Sequence, residues 1–286
     1  MKLMIPATVA ATAAALVLAA GAVARQPAER PAEQVETVTV APGSFAFRLP
    51  GEYLKADLPV DAPQRVVTFS SGFEMMKHQV STAGYGRCVA DGACEAADAR
   101  RNVSGEMPVT GVSYRDAVAY AGWLSARTGQ SWRLPTDEEW AFAAAERLKD
   151  DALGPRGDED NPAARWLARY RAEAGPGARD TEPKPLGHFG LNSKNLADMA
   201  GNVWEWTTTC YVRARLARDG AVEQSTENCG VRVVAGSHRG YMSNFIRDGR
   251  SGGCAAGLAP DNLGIRLVRD RPSILAGIRK LWTRTM

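Results

Sequence analysis

Long apolar runs, paired metal-ligand spacings and a surplus of either charge are all missing from this 286-residue chain. Each absence closes a class of function. Beyond the first two dozen residues, no stretch approaches the roughly 20 consecutive apolar residues of a membrane-spanning helix. Histidine occurs three times, as His78, His188 and His238, and never in a His-x-x-x-His pair. No Cys-x-x-Cys spacing is present, which argues against a structural zinc site. The 35 basic residues are nearly balanced by 32 acidic ones. No basic stripe interleaves with aromatics, so nucleic acid is not an expected partner. No internal repeat is visible.

What is present begins with an export signal. Lys2 precedes an apolar, alanine-rich run from Ala7 to Ala20, and Ala22-Val23-Ala24 forms a small-x-small cleavage pattern. A signal peptide over 1–24 places the protein in the periplasm or outside the cell; the alternative is an uncleaved N-terminal membrane anchor. Residues 25–34 read as a disordered leader. About 260 residues remain, enough for one domain with a sizeable core.

Export favours disulfides over reactive thiols among Cys88, Cys94, Cys210, Cys229 and Cys254. Cys88 and Cys94 flank a turn-forming Val-Ala-Asp-Gly-Ala loop suited to a local bridge. Cys210, Cys229 and Cys254 leave one odd thiol, and their connectivity stays open.

Regular structure is sparse. Val35 to Phe47 alternates as a strand until Pro42-Gly43, and Val66 to Phe73 reads as a second strand. Ser113-Tyr-Arg-Asp116 is a capping box ahead of Ala117, Tyr120, Ala121 and Leu124 at helical spacing, with Thr128-Gly129 as the stop. Thr136-Asp-Glu-Glu139 opens a second helix carrying Trp140, Ala143 and Ala144. Residues 150–185 read as a polar surface insertion, and short strands between Gly- and Asn-bearing turns are expected from Leu196 onward. In the tail 271–286, Ile274, Leu275, Ile278, Leu281 and Trp282 share one helical face with basic residues around it. That helix lies on a membrane surface or a partner, or packs back on its own domain. The class is α+β.

Four segments carry a family resemblance: Pro108-Val-Thr-Gly-Val-Ser-Tyr-Arg-Asp-Ala117, Trp132-Arg-Leu-Pro-Thr-Asp-Glu-Glu-Trp140, Leu196-Ala-Asp-Met-Ala-Gly-Asn-Val-Trp-Glu-Trp206 and Asn262-Leu-Gly-Ile-Arg-Leu267. In this order, over about residues 35 to 270, they resemble the formylglycine-generating enzyme family, also called the sulfatase-modifying-factor domain. The resemblance implies an irregular α+β fold distantly like the C-type lectins. It makes Trp123, Trp140, Trp204 and Trp206 core residues, with Arg133 and Arg266 as partners of buried carboxylates or carbonyls. It also implies a calcium ion held by the side chains of Asp198 and Glu205 and the carbonyls of Gly201 and Val203. The alternative is that both carboxylates cap nearby amides.

The family's oxidase uses two cysteines to hold monovalent copper. Here those positions, aligned from Gly236-Ser237, are Gly240 and Phe245, which offer a soft ion no ligand. Cys254 matches a structural cysteine of the family. No copper is expected, and the histidine count closes the family's iron-dependent sulfoxide-synthase route. The old cleft would be lined by His238, Arg239, Tyr241, Arg247 and Arg250, with His238, Tyr241 and Asp248 as candidate catalytic groups.

The chain is similar to cysteine-free accessory members associated with copper nitrite reductases in denitrifying bacteria. That implies a maturation or accessory factor for a periplasmic metalloenzyme. The alternative is an oxidoreductase of altered chemistry acting on an exported peptide, like the pyoverdine-maturation branch. An active formylglycine-generating oxidase is the least expected outcome.

Overall fold

The computed structural model describes residues 35–98, 105–150, 180, 182–251, 253–255, 260 and 262–270. The predicted signal peptide 1–24, the leader 25–34, most of the insertion (151–179) and the tail 271–286 lie outside the described residues.

The N-terminal strand pattern gives two elements, β1 (Thr37–Val40) and β2 (Gly43–Arg48). Pro42, which has no N–H to donate, separates them. β3 (Glu52–Lys55) and β4 (Leu58–Val60) form a hairpin. Its two turn residues, Ala56 and Asp57, both take the left-handed conformation that suits the right-handed strand twist. β5 (Gln64–Phe69) pairs along all of β2. The expected strand from 66 to 73 is broken before β6 (Phe73–Met76) by Ser70-Ser71-Gly72.

Three helices follow: α1 (Thr82–Ala90), α2 (Tyr114–Thr128) and α3 (Asp137–Ala144). Both predicted capping boxes form. Asp116 accepts from the Ser113 amide at 2.8 Å while Ser113 Oγ accepts from the Asp116 amide at 3.2 Å. Glu139 and Thr136 do the same at 2.8 and 3.1 Å. Gly129 ends α2 at φ 69°, a conformation that favours glycine. No helix is expected over α1 from sequence, because Gly84 and Gly86 weaken its helical pattern. Its one local signal is the cap Ser81, whose Oγ accepts from the Gly84 amide at 3.0 Å.

Short strands were expected after Leu196, but β8 (Trp204–Leu216) and β9 (Val222–Ala235) form one long hairpin of 13 and 14 residues. At its tip the Ala217 amide donates to the Ala221 carbonyl at 2.8 Å, Gly220 sits at φ 90°, and Asp219 caps the Ala221 amide. The β9 segment from Val222 to Gly230 is wholly exposed, so no apolar alternation marks it in the sequence.

β7 (Trp132–Arg133) and β13 (Val268–Arg269) complete a four-stranded sheet in the order β1-β6-β13-β7. β10 (Arg239–Ser243) and β11 (Gly253–Ala255) extend the hairpin sheet, ordered β11-β10-β9-β8-β3-β4. β12 (Leu263–Gly264) runs parallel to β8 beginning at Trp204. The mixed α+β expectation therefore holds. Trp123, Trp140, Trp204 and Trp206 are all buried. Trp204 and Trp206 pack in one apolar cluster with Tyr85, Leu124, Leu134 and Ile265, and Trp140 lies in a second with Met75, Leu196 and Met199.

Candidate functional site

The segment from Gly236 to Arg250 carries the positions of chemical interest. β10 is an inner strand: Gly240 pairs with Val234 of β9 on one side and Ala255 of β11 on the other. A Cβ placed on Gly240 would lie 2.7 Å from Pro260 Cγ and 3.1 Å from Val234 Cγ2. One placed on Gly249 would lie 2.0 Å from the Pro260 carbonyl oxygen. Pro260 is therefore seated between two glycines, and it occupies the space a side chain at 240 would need. Five residues on, Phe245 points outward with 66% of its surface exposed. The two positions expected to have lost their thiols are thus one packed shut and one apolar and solvent-facing.

The expected cleft residues divide into struts and surface groups. Arg239 is a buried strut rather than a cleft wall. Its Nε lies 2.8 Å from Asp137 Oδ2, its Nη2 donates to the Arg48 carbonyl, and its guanidinium covers the Phe47 ring. Arg247 is a second strut. It grips both oxygens of Asp116 at 2.8 Å and reaches Glu95 at 2.7 Å. These carboxylates raise its pKa above the ordinary guanidinium value, led by the Asp116 hydrogen bond. Tyr241 is a third: its hydroxyl accepts from the Gly51 amide at 2.7 Å and its ring meets Tyr211 edge-on. Arg239, Arg247 and Tyr241 are thus tied to neighbouring elements, Arg239 buried and the other two partly exposed.

His238 is half-buried against Trp204, with ring centroids 5.2 Å apart. Its Nδ1 lies 2.9 Å from the Arg239 carbonyl, which calls for the tautomer with a proton on Nδ1. Gly236 lets the Trp204 ring approach so closely that a Cβ there would sit 2.7 Å from it. Asp248 accepts from the Arg250 amide and Nε, each at 3.2 Å, and Arg250 remains about half exposed. Phe245 and Arg250 are the exposed groups of this segment, with His238, Tyr241, Arg247 and Asp248 partly exposed beside them.

The turn leading into β8 is the expected calcium site. Asp198, Ala200 and Asn202 all adopt positive φ, tightening the turn. The Asp198 oxygens accept from the Gly187 amide at 2.6 Å and the Phe189 amide at 2.8 Å. Gly201 donates its amide to the Asp198 carbonyl at 3.1 Å, and Val203 is buried just before β8. Glu205 is fully committed. Oε1 accepts from Gln79 Nε2 at 2.8 Å and Arg266 Nη2 at 2.9 Å, while Oε2 accepts from Trp140 Nε1 at 2.7 Å and Arg266 Nε at 2.8 Å. A hard cation needs oxygens free to face it, and here a buried guanidinium already faces both. The donor set as built fits amide capping and an ion pair, the alternative the sequence left open, and does not fit a calcium cage.

His78 lies close behind this network. Burial first, and then the Arg266 charge, hold its pKa below the usual imidazole value, against opposition from Glu36 and Asp198.

Two disulfides form, Cys88–Cys94 and Cys210–Cys229. The first was expected from its loop. The second settles the open pairing and leaves Cys254 outside both bridges. Sequence reasoning missed the roles of Pro260 and Asp137 at β10: Pro260 carries no motif, Asp137 sits in a motif read only as a helix start, and the folded packing brings both there.

The sulfatase-modifying factor enzyme 1-like domain family matches residues 23–271, and the chain belongs to that family. The formylglycine-generating enzyme of Mycobacterium tuberculosis (strain ATCC 25618 / H37Rv) is 43% identical over 109 residues, 36% of this chain and 33% of that protein. The inactive C-alpha-formylglycine-generating enzyme 2 of Mus musculus is 32% identical over 170 residues, 56% of this chain and 48% of that protein. The chain spans between a third and just over half the length of the curated relatives it matches first. The solved structure of PvdO from Pseudomonas aeruginosa superposes with a TM-score of 0.51 at 23% identity, covering 82% of this chain and 94% of that chain. That likeness is one of fold.

Proposed function

We propose that this member of the sulfatase-modifying-factor family is an exported accessory or maturation factor that does not perform copper–thiolate oxidation. The observation that carries the reading is the packing at Gly240: the space for a first thiol is filled by Pro260, and the second position presents Phe245 to solvent. Copper(I) chemistry of the family type needs two sulfur ligands converging on one open site. A closed pocket beside an exposed aromatic ring suits docking instead, since such rings anchor protein interfaces. Similarity to an inactive family member in Mus musculus is consistent with this loss. Within this reading the client is a periplasmic metalloenzyme of the copper nitrite reductase kind. The second reading, altered chemistry on an exported peptide, would rest on His238, whose Nδ1 already meets a backbone carbonyl.

The test is capture of the client. Mature protein should recover one dominant metalloenzyme in stoichiometric amount, and Phe245→Ser should lose it while His238→Ala retains it. Capture unaffected by Phe245→Ser would refute the docking role. Conversion of a cysteine peptide to its aldehyde by the copper(I)-loaded protein would refute the whole reading.

A further inference from the structure

We propose that the Cys210–Cys229 bridge is a thiol-exchange site whose substrate is an external dithiol. The inference stands apart from the client reading and rests on the surroundings of the bridge alone.

The bridge links the two strands of the long hairpin where the ladder slips register on both sides of Cys210, a local bulge of the kind that exposes and re-aims side chains. Its two halves differ. Cys229 lies on the exposed stretch of β9, whereas Cys210 is buried. An incoming thiolate therefore meets Cys229. Behind Cys210 stands Arg232, whose Nη1 donates to Cys210 Sγ at 3.1 Å and to the Thr208 carbonyl. Its guanidinium lies 4.6 Å from the Tyr114 ring centroid, and its buried Nε finds no hydrogen-bond partner among the described residues. Among those residues no carboxylate pairs with it, so its positive charge faces the sulfur. A cation hydrogen-bonded to a sulfur stabilises that sulfur as a thiolate leaving group. Glu227 places its carboxylate within 4.8 Å of both sulfurs, so the bias toward departure from Cys210 comes from Arg232.

The exchange follows directly. A substrate thiolate attacks Cys229 Sγ, a mixed disulfide forms, the Cys210–Cys229 bond breaks, and Cys210 leaves as a thiolate against Arg232. The second thiolate of the substrate then attacks the substrate's own sulfur in the mixed disulfide, releasing Cys229. The dithiol is oxidised to its disulfide, the protein's pair is reduced, and the two substrate protons end on the two cysteines. The account is one exchange per chain. The bridge also adjoins the segment that carries Phe245: Asn244 donates its side-chain amide to the Cys229 carbonyl and its backbone amide to the Gly230 carbonyl, each at 2.9 Å.

Cys88 and Cys94 are both buried and supply an internal standard. The test is timed reduction of the folded protein by limiting dithiothreitol, iodoacetamide quenching and mass spectrometry of the labelled peptides. Cys210 and Cys229 should be labelled about tenfold or more ahead of Cys88 and Cys94, because access controls the attack. Arg232→Gln should slow reduction of that bridge about three- to tenfold through loss of the charge at the leaving sulfur, and Arg232→Lys should restore part of the rate. Equal reduction rates for the two bridges in the native protein, a test that needs no variant, would overturn the proposal. So would an unchanged or faster rate in both Arg232 variants.

Discussion

Replacing Glu205 by glutamine separates an ion pair from a calcium ligand. All five N–H groups of Arg266 are satisfied: Nε and one Nη2 hydrogen meet Glu205, the other Nη2 hydrogen meets the Ala197 carbonyl, and Nη1 reaches the carbonyls of Met76 and Lys77. Both side chains are essentially without solvent contact. An amide at 205 removes the counter-charge and turns an NH2 toward donors that need an acceptor. Leaving a buried charge unpaired costs about 3–5 kcal/mol, and at about 2–4 °C per kcal/mol for a domain of this size the melting temperature should fall by roughly 6–20 °C. Thermal unfolding followed by circular dichroism gives the shift. The scans should be run in EDTA and in millimolar calcium, because a ligand that binds only the folded state raises its melting temperature. The expected result is a large loss in Glu205→Gln and no calcium dependence in the native protein. A loss below about 1 kcal/mol would refute the ion-pair reasoning, and a native melting temperature that climbs with calcium would return Asp198 and Glu205 to the metal.

Three further outcomes follow from named contacts. Gly240→Cys should destabilise the fold by about 1–3 kcal/mol through overpacking against Pro260, and Gly240→Cys/Phe245→Cys should fail to bind copper(I) in a competition titration. His78, whose buried Nδ1 has no hydrogen-bond partner among the described residues, has its folded pKa held below the unfolded value of about 6.5. The unfolded chain then binds the extra proton first, so stability should be intact above about pH 6.5 and decline as pH falls toward the folded pKa. His78→Gln should flatten that decline in urea titrations between pH 7 and 5. Opening Cys88–Cys94, a bridge of sequence separation 6, by paired serine substitution should lower stability by about 2 kcal/mol on loop-closure grounds; an unchanged urea midpoint would contradict this.

Sequence reading reached far where local chemistry decides structure. Ser113 with Asp116 and Thr136 with Glu139 specify helix starts because cap and amide lie three residues apart, and both boxes form. The Cys88–Cys94 pairing and the burial of four tryptophans follow from equally short-range or strongly apolar signals. The long hairpin escaped because its outer half is polar on both faces, so its length is set by pairing with β8 and not by a buried stripe. The site was readable as a segment but not as a geometry. Arg239, Tyr241 and Arg247 looked like cleft residues, yet their partners Asp137, Gly51 and Asp116 lie about 100 to 190 positions away in the chain.

Under the proposed loss of the thiol pair, those distant partners explain how a reaction centre can change while the fold persists. Arg239 immediately precedes Gly240 and Arg247 follows Phe245 by two residues. Each is tied to a carboxylate in the first turn of a helix, Asp137 in α3 and Asp116 in α2. Those carboxylates also face the positive ends of their helices, so each strut fastens β10 or its following loop to a rigid element. Neither anchor involves residue 240 or 245. Glycine and phenylalanine at these positions therefore leave the path of the segment intact, and the scaffold presents whatever side chain stands between its two arginines. Activity is separable from architecture in such an arrangement. The expectation carried by the struts is asymmetric: Asp116→Asn should displace the Phe245 loop and weaken client capture, whereas Phe245→Ser should weaken capture with the melting temperature unchanged.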